Sequence, residues 1–156
     1  LKRTVLLGNS TIAFLNSSIL LYGAIMGNGA NAIVWSVITI VVLYTLAQEV
    51  LYTVDDYVGD GQAGITTTAT YLGVDLTLMI FKLLIGAVVL SSFVPIVLGF
   101  ASVAYIMLLI PCLLGPIFLR ILPLVHQGGA AAITTACKTM KVVRISSLAP
   151  LLVLPL

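Results

Sequence analysis

Charge is what this sequence has least of. Only 8% of its 156 residues are Asp, Glu, Lys or Arg, against roughly 25% in an ordinary soluble domain. That shortfall excludes a fully water-exposed globular surface, and most soluble enzyme folds with it. Seven basic and five acidic residues give a formal net charge of +2, too little to hold a phosphate backbone, so nucleic acid is not an expected partner. Cysteine is scarce as well. Cys112 and Cys137 have neither metal-ligand nor redox spacing. The single histidine, His126, lies in a Gly-rich stretch without a partner at ligand spacing and reads as a solvated loop residue.

Hydrocarbon is abundant instead. Hydrophobic residues make up 61% of the chain and mean hydropathy is +1.24. A bilayer core needs about 20 apolar residues per helix, and only helices or closed barrels satisfy their own backbone there. The expected fold class is therefore all-α: a polytopic transmembrane helical bundle of about five helices, forming a single domain over residues 1–156. The expected spans are about 5–26, 32–54, 76–93, 97–119 and 136–153. A polar loop, 55–75, and a small, Gly-rich stretch, 120–137, separate some of them. Threading the spans alternately puts the N-terminus and both of these stretches on one face. All seven cations (Lys2, Arg3, Lys82, Arg120, Lys138, Lys141, Arg144) and all five acids fall on or toward it. The excess of Lys and Arg predicts that this face is cytoplasmic, or its stromal or matrix equivalent.

Three of the five acids crowd into six positions of "YTVDDYVGDGQAG", Tyr52 to Gly64. On a continuing helix Asp56 and Asp60 share one face, with Cβ atoms about 5–6 Å apart. Thr53 extends that stripe backward by one turn and Asp55 points elsewhere. Like charges at this spacing repel, and a magnesium ion held by one or two carboxylates, water and substrate phosphate would neutralise them. A solvated acidic loop is the plainer alternative, and Gly59, Gly61 and Gly64 favour it. Ionisable groups near membrane depth are functional candidates by default.

The run "QEVLYTVDDYVGDGQAGITTTATYLG", Gln48–Gly73, resembles the second aspartate-rich region of the UbiA superfamily of intramembrane prenyltransferases. Glu49, Asp56, Gly59, Asp60, Gly64, Thr67 and Gly73 match in register. The opening "LKRTVLLGN" resembles the start of the helix that precedes the motif helix in that family. Over the whole chain the resemblance corresponds to helices five to nine of a nine-helix fold. It implies a bundle around a cavity where two aspartate-rich motifs hold magnesium and a prenyl diphosphate, whose allylic cation a lipophilic acceptor captures. By position it implies metal ligation by Asp56 and Asp60, diphosphate contact by Lys2, and supporting places for Asp55 and Glu49. Magnesium is the implied cofactor, and membrane lipids, a prenyl diphosphate and a lipophilic acceptor are the implied partners.

The departures are specific. Thr53 stands where the family usually has a first Asp, Gly61 where a basic residue usually follows the last one, and Ala69 where Pro is common. A first aspartate-rich motif is absent from these residues. Two functions follow as alternatives: a prenyltransferase seen as its C-terminal half, or a catalytically degraded membrane subunit that binds lipid, quinone or pigment beside other membrane-protein subunits. A transporter or channel fragment ranks last, for want of a repeat or broken-helix signature. Elsewhere Glu49 reads as a structural pairing residue, and Lys138, Lys141 and Arg144 as a basic ridge against lipid headgroups. Tyr22, Trp35 and Tyr44 read as packing or interface anchors, and Gly86, Gly99 and Ser102 as places of close helix approach.

Overall fold

The structure is a computed structural model that describes residues 7–26 and 31–154. Its elements are helical throughout these residues. Helix α1 (Leu7–Met26) is followed by α2 (Ala32–Asp55). Asn31 starts α2: its side-chain oxygen accepts the amides of Ile33 and Val34, each at 3.0 Å, which satisfies two donors a helix start leaves open. α2 is apolar on nearly every side, so it is buried on nearly every side. Ala47, Val50 and Leu51 have no exposure at all.

Two short helices, α3 (Tyr57–Gln62) and α4 (Thr68–Leu72), then occupy the stretch expected as a polar loop. Thr67 caps α4 reciprocally with Thr70: its hydroxyl accepts the Thr70 amide at 3.4 Å and its amide donates to the Thr70 hydroxyl at 2.7 Å. The chain continues through α5 (Val74–Val97) and α6 (Val103–Gln127), then α7 (Ala130–Ser146) and α8 (Leu148–Leu152). Among the described residues α2, α5 and α6 are long and apolar enough to cross a membrane. The chain is an all-α, polytopic helical bundle and an integral membrane protein. α2 lies at its centre, packed against α1, α5 and α7.

α6 runs on through "RILPLVHQ", beyond the expected end of its span at 119, and α7 begins at Ala130 rather than 136. The intervening stretch is therefore no loop but a turn at Gly128 and Gly129, whose φ angles of 71° and 82° suit glycine. His126 consequently lies in the last helical turn, still exposed. The reason is a buried stripe: Tyr105, Leu109, Leu113, Ile117, Ile121 and Val125 are each at most 2% exposed. Steps of four residues drift about 40° each around an α-helix, so a pure α-helix would carry this stripe off the core. Two π-helical segments, Ile110–Leu114 and Ile117–Ile121, widen the turn and hold it in line. Gly115 permits the first of them. Its amide donates to the Ile110 carbonyl, and a Cβ there would stand 3.0 Å from that oxygen.

Side chains bolt the helices together inside the apolar layer. The Tyr44 hydroxyl donates to the Met140 carbonyl at 2.9 Å, joining α2 to α7. The Tyr105 hydroxyl donates to the Ser92 carbonyl at 2.7 Å, joining α6 to α5. Pro116 lacks the N–H that the Cys112 carbonyl would otherwise receive, and Ser146 supplies a donor from α7 at 3.0 Å. Trp35 and Tyr22 are largely exposed on the outer surface, whereas Tyr44 is buried. The small-residue reading fails at both glycines. A Cβ on Gly86 would meet open space, Gly99 has a φ of 74° and makes a turn, and Ser102 caps α6 through the Tyr105 amide at 3.2 Å.

Ser146→Ala should leave the Cys112 carbonyl short of a partner in apolar surroundings and destabilise the bundle by about 1 kcal/mol. Ser146→Thr should retain stability. Unfolding in detergent micelles by denaturant titration checks both.

Candidate functional site

The C-terminal end of α2 supplies the acidic residues, and the helical register carries almost unbroken into α3. The Asp60 amide donates to the Asp56 carbonyl at 2.9 Å, as the Asp56 amide does to Tyr52. One turn therefore separates Asp56 from Asp60, and both line one cleft of about 470 Å³. Glu49, Tyr52 and Thr53 line it further down α2, Gly8, Asn9 and Thr11 from α1, and Thr67 and Thr68 from the start of α4. Asn9 reaches across with its amide nitrogen to the Thr68 hydroxyl at 3.2 Å, tying α1 to α4 over the cleft.

Thr53 sits where a further carboxylate would extend the stripe. Its hydroxyl donates to the Val50 carbonyl of its own helix at 2.8 Å. Among the described residues no three His, Cys, Asp or Glu side chains form a group able to hold a metal ion. Two carboxylates in one cleft still suit magnesium, which takes one or two from a protein and completes its shell with water and phosphate oxygens. The donor set fits that ion and would fit a zinc or calcium cage poorly.

Asp55 faces the other way, toward α7, where the Thr134 hydroxyl donates to its carboxylate at 2.5 Å. Lys141 places its ammonium 5.3 Å from the centre of the Tyr52 ring. With Lys138 these groups enclose a second, smaller cleft of about 240 Å³ on the α7 side of α2. Sequence reasoning had put Lys138 and Lys141 against headgroups. Their convergence on the acidic cluster depends on α7 starting six residues early, which the apolar-run count could not reveal. Lys2, like Arg3, lies outside the described residues.

Deeper along α2, three turns before Asp56, Tyr44 and Ile40 line an apolar cleft of about 310 Å³ with Ile19, Leu113 and Leu148; Asn16, Thr45, Arg144 and Ser147 add polar groups. Arg144 thus parts company with the two lysines of its ridge.

Comparison with known proteins decides the family. The chain is similar to digeranylgeranylglyceryl phosphate synthase of Ignicoccus hospitalis, with 36% identity over 117 residues, covering 69% of this chain and 39% of that protein. The synthase of Sulfolobus acidocaldarius is 29% identical over 150 residues, covering 95% of this chain and 52% of that protein. A solved structure described for digeranylgeranylglyceryl phosphate synthase in membranes superposes with a TM-score of 0.80 at 22% identity, covering 93% of this chain and 51% of that one. The chain belongs to the UbiA superfamily. No family model matches it. It spans between 39% and 52% of the length of these two UbiA relatives.

In this UbiA-type cleft Asn9 is a wall residue and not an acid or base. Asn9→Ala should therefore loosen α4 locally, by about 1 kcal/mol, without unfolding the bundle. Faster amide exchange confined to residues 65–72 in hydrogen–deuterium exchange is the expected result.

Proposed function

We propose that this chain forms the second carboxylate half of a magnesium-dependent membrane prenyltransferase. In this reading a prenyl group moves from a prenyl diphosphate to a lipophilic acceptor. The observation that carries it is the placement of Asp56 and Asp60 one turn apart in the same cleft. Support also comes from the names of the relatives, which make a glyceryl phosphate lipid with two prenyl chains. An acceptor of that class, a prenylated glyceryl phosphate, is the finer form of the proposal.

The division of the α1–α2 face suits such substrates. The polar cleft stands at the end of α2 and the apolar one lies deeper along it, so an anionic head and a hydrocarbon chain each meet a matching surface. Asp56 and Asp60 would hold the metal, with the threonines of the cleft as hydrogen-bonding partners for diphosphate oxygens. Asp55 and Glu49 take supporting places and Lys2 the diphosphate contact implied by the resemblance. Bound magnesium supplies neutralisation of the diphosphate and stabilises the charge that gathers on it as it departs. In the transfer the carbon–oxygen bond to diphosphate breaks with its electron pair going to the leaving group. The acceptor hydroxyl oxygen forms the new bond to that carbon, and its proton passes to the departing diphosphate. The apolar walls keep water from the cationic carbon.

α1 and the α7–α8 pair are proposed as further crossings beside α2, α5 and α6, making five in one domain. The positive-inside count supports an orientation with the charged face toward the cytoplasm or its organellar equivalent.

A second reading, a subunit that has lost catalysis, draws on Thr53 and Gly61. The two readings differ in one assay. Asp56→Ala and Asp60→Ala, in the full-length protein that carries this chain, should each lower magnesium-dependent prenyl transfer by about 100-fold or more. Unchanged turnover in either variant would refute the roles assigned here, and no turnover in the unaltered full-length protein would favour the second reading.

A further inference from the structure

The cleft on the α7 side of α2 lies outside the metal–diphosphate reading, yet it is built from charged groups with defined neighbours. We propose that it is the phosphate-head subsite for the acceptor lipid, with Lys138 and Lys141 as the residues that select a phosphate-bearing acceptor over a neutral one. The assignment rests on the prenyl-transfer reading for its purpose, but not for its test.

Three features of the cleft support it. Lys138 and Lys141 are one turn apart on α7 and both line the same cavity of about 240 Å³, which gives a phosphate two ammonium donors at once. Lys141 is oriented by the Tyr52 ring, 5.3 Å from its centroid, so this long side chain is partly ordered before any ligand arrives. One of the two carboxylates opposite, Asp55, already accepts the Thr134 hydroxyl at 2.5 Å. The other, Asp56, is shared with the metal cleft. A cation on the metal side would cancel its charge and leave the lysine side net positive.

Tyr52 and Asp56 line both clefts, so the wall between them is a single turn of α2. An acceptor whose phosphate sits on the lysine side keeps its headgroup within one side chain's reach of the donor diphosphate. A phosphomonoester carries about −1.5 to −2 charge at neutral pH, which complements two lysines better than a zwitterionic lipid head does.

The test is binding, without prenyl diphosphate and with magnesium present, using the full-length protein in nanodiscs of zwitterionic lipid. The probes are a monoalkylglyceryl phosphate, the same lipid with a free hydroxyl in place of the phosphate, and water-soluble glycerol phosphate. The phosphate lipid should bind, and the Lys138→Gln/Lys141→Gln double variant should bind it at least about tenfold more weakly. Lys138→Arg/Lys141→Arg should largely restore binding, which separates charge from folding. Asp56→Asn should leave binding within about twofold, because the carboxylate on the shared wall is lost together with the cation that neutralises it. Competition by glycerol phosphate would identify the phosphate itself as the recognised group; its failure to compete would show that the lipid body is needed as well, and either result supports the subsite. Equal binding of phosphate and hydroxyl lipids, or binding within twofold of wild type by the glutamine variant, overturns the proposal. Loss of phosphate-lipid binding in Asp56→Asn would place the phosphate in the metal cleft and overturn it too. Failure of the diphosphate reading appears separately, as absence of donor binding in the unaltered protein.

Discussion

A backbone in hydrocarbon must satisfy every polar group from within the protein, and α2 is where that constraint is met most completely. Its middle is enclosed by α1, α5 and α7, with Ala47, Val50 and Leu51 sealed from any surface. Its end must do the opposite, because it closes on Asp55 and Asp56 and runs into a short α3 that carries Asp60 and buries none of its residues. Both polar clefts lie at that transition. The packed middle fixes the axis of α2, and the axis fixes which side chains point to α1 and which to α7. Asp56 and Asp60 then share the α1 side, while Asp55 turns to Thr134.

The neighbours keep that axis in place by repairing their own irregularities. α6 carries Pro111 and Pro116, either of which would break an ordinary helix. Its two π segments absorb them and keep a stripe of six residues at four-residue spacing against the core. Ser146 of α7 gives a donor to the carbonyl that Pro116 leaves short. The Tyr44 hydroxyl does the same kind of work between α2 and α7 at the Met140 carbonyl. Interhelical hydrogen bonds of this sort are individually modest in membranes, about 0.6 kcal/mol on average, but each fixes a rotation as well as a distance. α7 can therefore bring Lys138 and Lys141 to the end of α2.

The all-α membrane class was legible from composition alone, since 61% hydrophobic and 8% charged residues leave few alternatives. The i, i+4 spacing of Asp56 and Asp60 was legible too, because helical geometry is local. The limits of α6 and α7 were not. Counting apolar residues ends a span at Arg120, whereas Ile117, Ile121 and Val125 continue the buried stripe past it while Arg120 points outward. Gly128 and Gly129 then make the turn that seventeen weakly apolar residues had suggested as a loop. That error hid the lysine cleft, which is a tertiary arrangement with no local signature. Gly86 failed for a related reason: a small residue permits close approach but does not require it.

Asp56 and Asp60 are proposed to act together as an oxygen site for a divalent cation and a diphosphate. Manganese can stand in for magnesium and is visible by electron paramagnetic resonance. Titrating the full-length protein with manganese in the presence of inorganic diphosphate should show about one bound equivalent dependent on both carboxylates, as expected of a site completed by phosphate oxygens. Asp56→Asn or Asp60→Asn should lose it. Manganese–diphosphate binding that is unchanged in both variants would contradict the account.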